Sequence, residues 1–573
     1  MLNQLITNNI ELWTSAETSR STAGRGSNGK TELTGIKKLR ELILELAVRG
    51  LLVPQDPSDE PASVLLEKIA AEKEALIKAG KIKKQKPLPE IAEDEKPFDL
   101  PNGWEFERFI KTLDFSGGSQ PPKHTFSEIN LEGYVQLIQI RDLGPNPQPV
   151  YIPKDKASKF CTENDVMIGR YGASVGKVFW GKNGAYNVAL IKLHNDHEAY
   201  TQGFLYLIMK SPLGQSFFNG MSRSAQAGFS KDDIANKILP VIPLPEQHRI
   251  VAKVDELMAL CDQLEQQQLE HSDTHHTLVT TLLDSLCQAV DNDQFQSIWS
   301  QLAANFDTLF TNEASIDQLK QTLLQLAVMG KLVPQDPNDE PASVLLEKIA
   351  AEKAALIKAG KIKKQKPLPE IADDEKPFNL PEGWEWARLI DCYDVRDGTH
   401  DSPKYTAEGY PLVTSKNLSS GKLDFSDIKF ISETDHKKII ERSRVDAGDI
   451  LFAMIGSIGN PAIVDTEREF SIKNVALFKY YKKSLSAPHF LLKFLMFAEN
   501  VFKEQSSGAV QSFVSLGKVR SFPLALPPLP EQHRIVAKVD ELMALCDQLK
   551  AGLNQAQTTQ QQLAHTIVQQ AVA

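Results

Sequence analysis

Apolar positions repeat along this chain with the spacing of helices in some regions and of strands in others. At about 36–48 the leucines recur on one helical face and Gly50 follows as a left-handed cap, which predicts a helix ending there. A second helix is predicted from Pro61, whose fixed φ suits a first helical turn, to Gly80. The same leucine pattern returns at about 318–329 and predicts an equivalent helix.

The clearest helical pattern follows Pro245, where apolar residues alternate at spacings of four and three, as in the seam of a coiled coil. The pattern occurs twice, because residues 243–264 and 528–549 are identical. Each copy predicts a helix of about 30 residues whose seam needs a partner, and the other long helix of the chain can supply it in an antiparallel arrangement. The predicted seam residues are Ile250, Val254, Leu257, Cys261, Leu264, Ile535, Val539, Leu542, Cys546 and Leu549.

The duplication extends beyond these two helices. Residues 52–98 return at 332–378 with substitutions only at positions 58, 74 and 93 of the first copy. Between each opening copy and the closing helix lie about 130 residues, and these two segments are largely unlike in sequence. The chain therefore repeats one frame around two different segments, which suggests recognition of a two-part target.

Both unlike segments combine alternating and continuous apolar runs that predict a mixed α/β fold. In the first, the predicted strands are 135–140, 166–172, 177–181 and 188–193, followed by a helix at 203–211. In the second, they are 410–416, 449–457 and 474–481, followed by a helix at 489–497. Asp165 aligns with Asp449, and Asn187–Leu190 aligns with Asn474–Leu477, so one fold with divergent loops is predicted for both.

Composition and charge refine this picture. The chain has 573 residues, too many for one core, and its net charge of -10 does not favour phosphate binding by the chain as a whole. The charge is uneven, because 111–242 carries 14 basic and 11 acidic residues and 391–527 carries 18 and 17. The acidic excess thus lies in the frame, and the unlike segments permit DNA contact. Neither a signal peptide nor a membrane span is predicted, and the five cysteines lack paired spacing, so we expect a cytoplasmic protein.

Several patterns that mimic catalytic or metal sites lack the necessary context. Gly24–Thr31 fits the phosphate-loop pattern, but no apolar strand leads into it. The histidines lack metal-ligand spacing, Cys261 and Cys546 fall in the predicted seams, and no Asn-Pro-Pro-Tyr run could hold a flipped adenine. We therefore predict no catalytic residue, no metal site and no cofactor for this chain.

The order of short motifs around each unlike segment resembles the specificity (S) subunit of Type I restriction-modification systems. Each segment begins with Leu-Pro-Asn/Glu-Gly-Trp and ends with Pro-Leu-Pro-Glu-Gln-His-Arg. The motifs that carry the resemblance are Leu100–Trp104, Arg170–Lys177, Pro243–Arg249, Leu380–Trp384, Arg396–Pro403, Asp449–Phe452 and Pro528–Arg534. Each is weak alone, but their duplicated order is specific and covers the chain from about residue 36 onward.

The resemblance implies an α+β protein with two α/β target-recognition domains separated by long antiparallel coiled-coil helices, related by an internal pseudo-two-fold duplication. The predicted boundaries are 1–35 for a polar N-terminal arm, 36–98 for the first helical region, 99–242 for the first recognition domain, 243–378 for the helical spacer (with its repeat at 318–378), 379–527 for the second recognition domain and 528–573 for the C-terminal coiled-coil helix.

The resemblance further implies that each domain reads one half of a bipartite, asymmetric site in double-stranded DNA. The helices would dock two modification (methyltransferase) subunits, with restriction (translocase and nuclease) subunits outside them. S-adenosylmethionine, ATP and Mg²⁺ would serve those partners, in adenine-N6 methylation and ATP-dependent cleavage. The alternatives are a coiled-coil scaffold that does not bind DNA and, less favoured, an NTPase that uses Gly24–Thr31.

Side chains that read DNA are polar or basic and lie on loops. In the first domain the candidates are Ser119, Gln120, Lys123, Arg141, Arg170, Ser174, Lys177, Arg223, Gln226 and Lys231. In the second domain they are Arg396, Thr399, His400, Lys416, Asn417, Lys473, Gln511, Ser512 and Lys518. The alternative for each is an ordinary polar residue at the surface.

Overall fold

The computed structural model describes residues 9–15, 17–19, 31–82, 88–221, 228–506 and 513–572. The chain divides into two units: unit 1 comprises Met1–Ser272 with Ala556–Ala573, and unit 2 comprises Asp273–Gln555. Each unit contains one of the two unlike segments, built as sheets, and one set of frame helices. The predicted fold class, a duplicated α+β protein with two sheet-containing domains, is confirmed.

The helices follow the apolar periodicity of the frame. Those of unit 1 are α1 Ile10–Ser15, α2 Thr34–Val48, α3 Ala62–Lys78, α4 Phe109–Thr112, α5 Gln202–Lys210, α6 Pro212–Ser216 and α7 Lys231–Ala235. Helix α8, Leu244–Gln288, begins in unit 1 and ends in unit 2. Those of unit 2 are α9 Asn292–Ala304, α10 Phe306–Leu309, α11 Glu313–Val328, α12 Ala342–Lys358, α13 Leu389–Cys392, α14 Glu433–Ser443, α15 Pro488–Ser506 and α16 Leu516–Ser521. Helix α17, Leu529–Val572, begins in unit 2 and ends in unit 1.

The strands are short and belong mainly to the two unlike segments. Those of unit 1 are β1 Glu17–Ser19, β2 Thr31–Leu33, β3 Glu105–Arg108, β4 Asp114–Gly117, β5 Tyr134–Ile138, β6 Tyr151–Pro153, β7 Phe160–Cys161, β8 Val166–Gly169, β9 Val178–Trp180, β10 Gly184–Tyr186, β11 Leu190–His194 and β12 Ile238–Val241. Those of unit 2 are β13 Glu385–Arg388, β14 Tyr393–Asp397, β15 Tyr405–Thr406, β16 Tyr410–Val413, β17 Lys429–Ile431, β18 Ile450–Ala453, β19 Gly459–Ile463, β20 Ser471–Ile472, β21 Val475–Tyr480 and β22 Pro523–Leu526.

The two sheet domains share the strand order of their antiparallel sheets, whereas the fourth strand of the mixed sheet lies beside β10 in unit 1 (β7) and beside β17 in unit 2 (β15). In unit 1 an antiparallel sheet has the order β4-β11-β8-β9, and in unit 2 the order is β14-β21-β18-β19. Each domain also has a mixed sheet with one parallel pair, β5 with β10 and β16 with β20. The prediction of one fold for both segments is therefore confirmed, although their sequences differ.

The strand register corrects one part of the sequence alignment. Leu190 pairs with Gly169 in β8, and the equivalent partner in β18 is Ala453, which pairs with Val475. Leu190 therefore corresponds to Val475 and not to Leu477, so the match between the two Asn-Val-Ala-Leu runs is wrong by two residues. A four-residue match could not reveal this shift, because the loop before the strand differs in length between the domains.

Helices α2 and α3 lie within two residues of their predicted bounds, whereas α11 begins at Glu313, five residues before the predicted start, and α8 and α17 are longer than predicted. They contain 45 and 44 residues, against the predicted length of about 30. Gly50 ends the region of α2 with a φ of 73°, and a Cβ at this position would lie 2.4 Å from Cγ of Pro101. Only glycine combines this backbone conformation with so close an approach. None of the helices in the described part of the chain is long and apolar enough to cross a membrane.

The predicted seam residues lie in hydrophobic cores. In unit 1 the seam residues of α8 share a core with α2 and with Ala564 of α17. In unit 2, residues 279–287 of α8 share a core with Leu542, Cys546 and Leu549 of α17 and with α11. Burial raises the pKa of the Cys261 thiol to about 11, which suits a packing role.

Ion pairs outside these cores differ between the repeats. In unit 1, Arg40 of α2 lies 2.6 Å from Asp262 and 2.7 Å from Glu265 of α8. In unit 2, the position equivalent to Glu265 is Lys550 of α17, and it lies 3.0 Å from Asp317 of α11.

The helix that faces Lys550 carries a negative charge where its counterpart in unit 1 carries a positive one. Asp317 occupies the position that Lys37 holds in α2, while Lys320 keeps the positive charge of Arg40 and pairs with Asp547. An exchange of partners between the two repeats would place Lys37 near Lys550 and Asp317 near Glu265. Like charges would then face each other, so these pairs favour packing of each long helix within its own repeat.

The N-terminal region contributes to the core of unit 1. Leu12 and Trp13 of α1 are buried against α2, although this region was expected to be a polar arm. Gly35 permits the contact, because a Cβ there would lie 2.3 Å from the carbonyl oxygen of Trp13. Residues 24–30 of the phosphate-loop pattern lie outside the described residues, and Thr31 begins β2.

Candidate nucleic-acid interface

A buried hydrogen-bonded clasp closes each sheet domain at its base. In unit 1, β3 pairs antiparallel with β12, which brings the ends of the domain together. Trp104, from the opening motif, donates from Nε1 to Oε2 of Glu246 in the closing motif at 2.9 Å, and Gln55 donates to the other carboxylate oxygen at 3.2 Å. Beside them, Arg249 lies 2.6 Å from Asp59. Burial is the largest influence on the pKa of Glu246 and raises it.

Unit 2 repeats this clasp with equivalent residues. Strand β13 pairs with β22, Trp384 donates to Glu531 at 3.0 Å and Gln335 donates to the same carboxylate at 3.2 Å. Arg534 lies 2.7 Å from Asp339. The motifs that recur in the sequence thus form one structural element, which holds each domain in the same way on its frame.

A loop follows the first strand of each antiparallel sheet, β4 in unit 1 and β14 in unit 2. In unit 1 the amides of Gly118 and Ser119 donate to the carbonyls of Leu190 and Tyr186, both at 3.1 Å. In unit 2 the amides of Gly398 and Thr399 donate to Val475 and Ile472, both at 3.0 Å. The loops therefore have equivalent positions but present different side chains, Ser119-Gln120 and Thr399-His400.

In unit 1 the structure gathers several predicted residues near this loop. Arg170 donates to the carbonyl of Phe229 at 3.1 Å and stacks on Tyr171, and its guanidinium borders Gly117. Lys231 pairs with Asp114 of β4. The Ser119 hydroxyl is buried and has no hydrogen-bond partner within the described part of the chain.

Other predicted residues of the first domain lie at exposed turns. Gln120 and Lys123 are exposed in the loop itself, and Arg141 is exposed in the turn after β5. Ser174 is half-buried and Lys177 exposed in the turn between β8 and β9.

In unit 2 some predicted residues are engaged in contacts within the domain and others are exposed. Arg396 is held by Asp394 at 2.6 Å, and Lys473 donates to the Ser402 hydroxyl at 2.6 Å. Lys416 is exposed and pairs with Asp427. Lys518 is exposed in α16.

Asn417 has a structural position in the turn after β16. It is 6% exposed, and its amide oxygen accepts from the backbone and hydroxyl of Thr414 at 3.0 and 3.1 Å. Its amide nitrogen donates to the carbonyl of Asp424 at 3.1 Å. The side chain is therefore engaged in shaping the turn in this conformation.

The structure does not describe four of the predicted residues. Arg223 and Gln226 of the first domain, and Gln511 and Ser512 of the second, lie outside the described residues. The residues that follow these segments have equivalent positions, because Gly228 bridges to Tyr171 and Phe513 bridges to Ile455.

Sequence reasoning predicted His400 in the second domain but missed the polar residues around it. Asp397 is buried at the end of β14, and its carboxylate accepts hydrogen bonds from Arg442 of α14 and from Nε2 of His400. Arg442 and Lys438 line a pocket with the loop. The signal for them was the basic run of positions 437, 438, 442 and 444 between two predicted strands. Clusters of potential metal ligands are absent from the described ranges.

Comparison with known proteins gives a consistent family. The model of the Type I restriction modification DNA specificity domain matches twice, at residues 103–271 and 381–557. The chain is 41% identical to the Type I restriction enzyme EcoAI specificity subunit and 40% identical to the EcoEI specificity subunit, both of Escherichia coli, over 100% of each chain. The crystal structure of the HsdS subunit from Thermoanaerobacter tengcongensis is similar with a TM-score of 0.40 and 17% identity, covering 83% of this chain and 98% of that one.

Proposed function

This chain belongs to the family of Type I restriction-modification DNA specificity subunits, and from that membership we propose that each of its sheet domains reads one half of a bipartite, asymmetric DNA site. The observation that carries the proposal is the pair of equivalent loops after β4 and β14. Their backbones make matching hydrogen bonds, while their side chains differ. Two domains with equivalent backbones and different loop side chains are suited to bind two half-sites of different sequence.

The side chains on these loops have the chemistry that DNA recognition needs. The two domains are mildly basic within an acidic chain, and amide, hydroxyl, imidazole and guanidinium groups surround the loops. Such groups make hydrogen bonds to base edges in the major groove, while exposed lysines such as Lys123 and Lys177 contact phosphates. Sequence discrimination in this proposal therefore comes from the loops and affinity comes from the basic surface around them.

The proposal assigns the chemical steps to partner subunits. Two modification subunits would dock on the frame and methylate adenine at N6 with S-adenosylmethionine, and restriction subunits would use ATP and Mg²⁺ to translocate and cleave DNA. In this proposal the chain selects the DNA sequence and catalyses neither methylation nor cleavage.

Exchange of one domain tests the bipartite reading. Residues 109–237, which lie between β3 and β12, are replaced by the corresponding segment of the EcoAI specificity subunit, so that the strand pair and the Trp104 clasp are retained. The chimera and the parent are expressed with their modification subunits, and N6-methyladenine is mapped across the genome. We expect one half of the methylated motif to change and the other half to stay. A change in both halves would contradict independent reading, and methylation that ignores this chain would support the scaffold alternative.

A duplicated exposed face on the long helices is the proposed dock for the two modification subunits. Leu260 of α8 and Leu545 of α17 occupy equivalent positions in the identical segments and are 39% and 53% exposed. Equal faces suit two copies of one partner. Exposed leucines that do not belong to a hydrophobic core are frequent in protein–protein contacts.

Single and double substitutions test this dock. We expect Leu260→Asp or Leu545→Asp to remove one of two modification subunits and the double variant to remove both, with each affinity falling by about 10- to 100-fold, because a charge in an apolar contact lacks compensation. Native mass spectrometry measures the stoichiometry. The control is Leu269→Asp, at a residue 44% exposed outside the identical segments, which should retain both subunits. Equal loss in the control would contradict a dock at Leu260 and Leu545.

A further inference from the structure

At the end of β14, the buried carboxylate of Asp397 accepts hydrogen bonds from an arginine and a histidine. The side chain of Asp397 is 4% exposed, whereas those of Arg442 and His400 are 62% and 54% exposed. Arg442 donates to one oxygen of Asp397, and Nε2 of His400 donates to the other at 2.9 Å. The carboxylate therefore fixes the orientation of two exposed donors from within the domain.

Of these three residues, Arg442 also lines a pocket of 260 Å³ between the loop and α14. Its lining includes Thr399, Asp401, Ser402, Lys438 and Arg442. The Asp401 carboxylate is exposed and accepts no hydrogen bond from any residue that the structure describes. The pocket thus offers a fixed guanidinium donor together with a free carboxylate acceptor.

The mixture of donor and acceptor narrows the class of ligand. A DNA phosphate presents only acceptors, and a free carboxylate would repel it. The major-groove edge of a G·C pair presents the guanine N7 and O6 acceptors beside the cytosine N4 donor. Arginine matches the first two atoms with its fork of N-H groups, and aspartate matches the third.

The described residues of the first domain do not repeat this arrangement. Gly117 stands at the position of Asp397, as the pairing of Gly117 with Ile191 and of Asp397 with Ala476 places them at the same register. Among the described residues, an arginine held by a carboxylate at this register is therefore found in the second domain, whereas Arg170 of the first domain is held by the carbonyl of Phe229.

We propose that Arg442, oriented by Asp397, reads guanine and that Asp401 reads the paired cytosine at one G·C position of the half-site bound by the second domain. The inference rests on the proposed function and adds to it the residues and the base pair. Asp397 is a positioning residue here, since it acts through Arg442.

The test uses the full chain with its modification subunits. For Arg442→Ala, Arg442→Lys, Asp401→Asn and the parent, methylation is measured on DNA duplexes that carry the mapped motif or its single-base variants. We expect Arg442→Ala and Arg442→Lys to lose on the order of 10- to 100-fold discrimination at one G·C position of the second half-site. Asp401→Asn is expected to weaken discrimination at the same position, and the first half-site should be unaffected.

Lys437→Ala is the matched control, because Lys437 lies on the same helix, is 69% exposed and pairs with Glu433 instead. Arg442→Lys tests the guanidinium fork: a lysine that keeps full discrimination would show that the two parallel N-H groups are not needed and would overturn the inference of a bidentate arginine contact. Unchanged discrimination in Arg442→Ala, with parental thermal stability, would also overturn it. If the parent recognises no bipartite motif, the proposed function itself fails, and that result is distinct from a loss confined to the Arg442 inference.

Discussion

Replacing Trp384 with phenylalanine should lower the free energy of unfolding of unit 2 by about 2–3 kcal/mol. The indole Nε1-H donates to Glu531 at 3.0 Å, and the carboxylate is buried. Phenylalanine fills most of the same space but removes the donor, so a buried acceptor that carries charge loses one of its two hydrogen bonds. Trp104→Phe should have the same effect on unit 1 through Glu246.

The loss in Trp384→Phe should increase with pH. Burial raises the pKa of Glu531 above its ordinary value, so the folded state binds the proton more tightly than the unfolded chain does. Such a group contributes stability below its unfolded pKa and loses it as pH rises through the folded pKa. Because the Trp384 hydrogen bond favours the ionised form, its removal raises the folded pKa further and widens this loss.

Urea unfolding at pH 5.5 and pH 8 measures both effects, followed by probes placed in each unit. Trp386→Phe is the control, because Trp386 lies two residues away in β13 and packs on Phe378 without a buried carboxylate partner. A destabilisation in Trp384→Phe that equals that of Trp386→Phe, at both pH values, would mean that the clasp contributes only ring packing.

The clasp also shows how far the sequence could predict the structure. The periodicity of leucines predicted α2, α3 and the seam, because these patterns depend on residues within a few turns of one another. The motifs around Trp104 and Glu246 could be identified because each occurs twice in the sequence. The contact between them could not be predicted, since the two residues are 142 positions apart in the chain. A long-range contact leaves no periodic trace in one sequence.

The candidate recognition residues illustrate the same limit. Loop positions such as Thr399 and His400 follow a recognisable motif, and the structure places them on a common loop. Arg442 lies 45 positions from Asp397, and only their contact makes the arginine notable. Asn417 had the right chemistry for DNA, but its side chain supports a turn that its sequence neighbours did not indicate.

Alanine at Gly398 should abolish recognition of the second half-site, with methylation of the full motif falling by about 100-fold or more. A Cβ at this position would lie 2.2 Å from the carbonyl oxygen of Ile472, and at Gly118 it would lie 2.1 Å from that of Asn187. Both neighbours are backbone atoms of the adjoining strand region, so the loop must move and the donated amide bonds of Gly398 and Thr399 must lengthen. Overpacking of this kind costs about 1–3 kcal/mol, and small displacements of reading side chains remove their base contacts.

Methylation of a duplex with the mapped motif, and binding to that duplex at one fixed salt concentration, measure this effect for Gly398→Ala and Gly118→Ala in assembled complexes. Duplexes with one scrambled half-site then assign each variant to a half: Gly398→Ala should retain dependence on the first half only, and Gly118→Ala on the second only. Gly552→Ala in α17 is the control, since a Cβ there meets nothing within 4 Å, and alanine should slightly stabilise the helix. If Gly398→Ala recognises the motif as well as the wild type does, the prediction is wrong. Specificity would then tolerate a displaced backbone, and DNA recognition would not depend on the close approach of this loop to its strand.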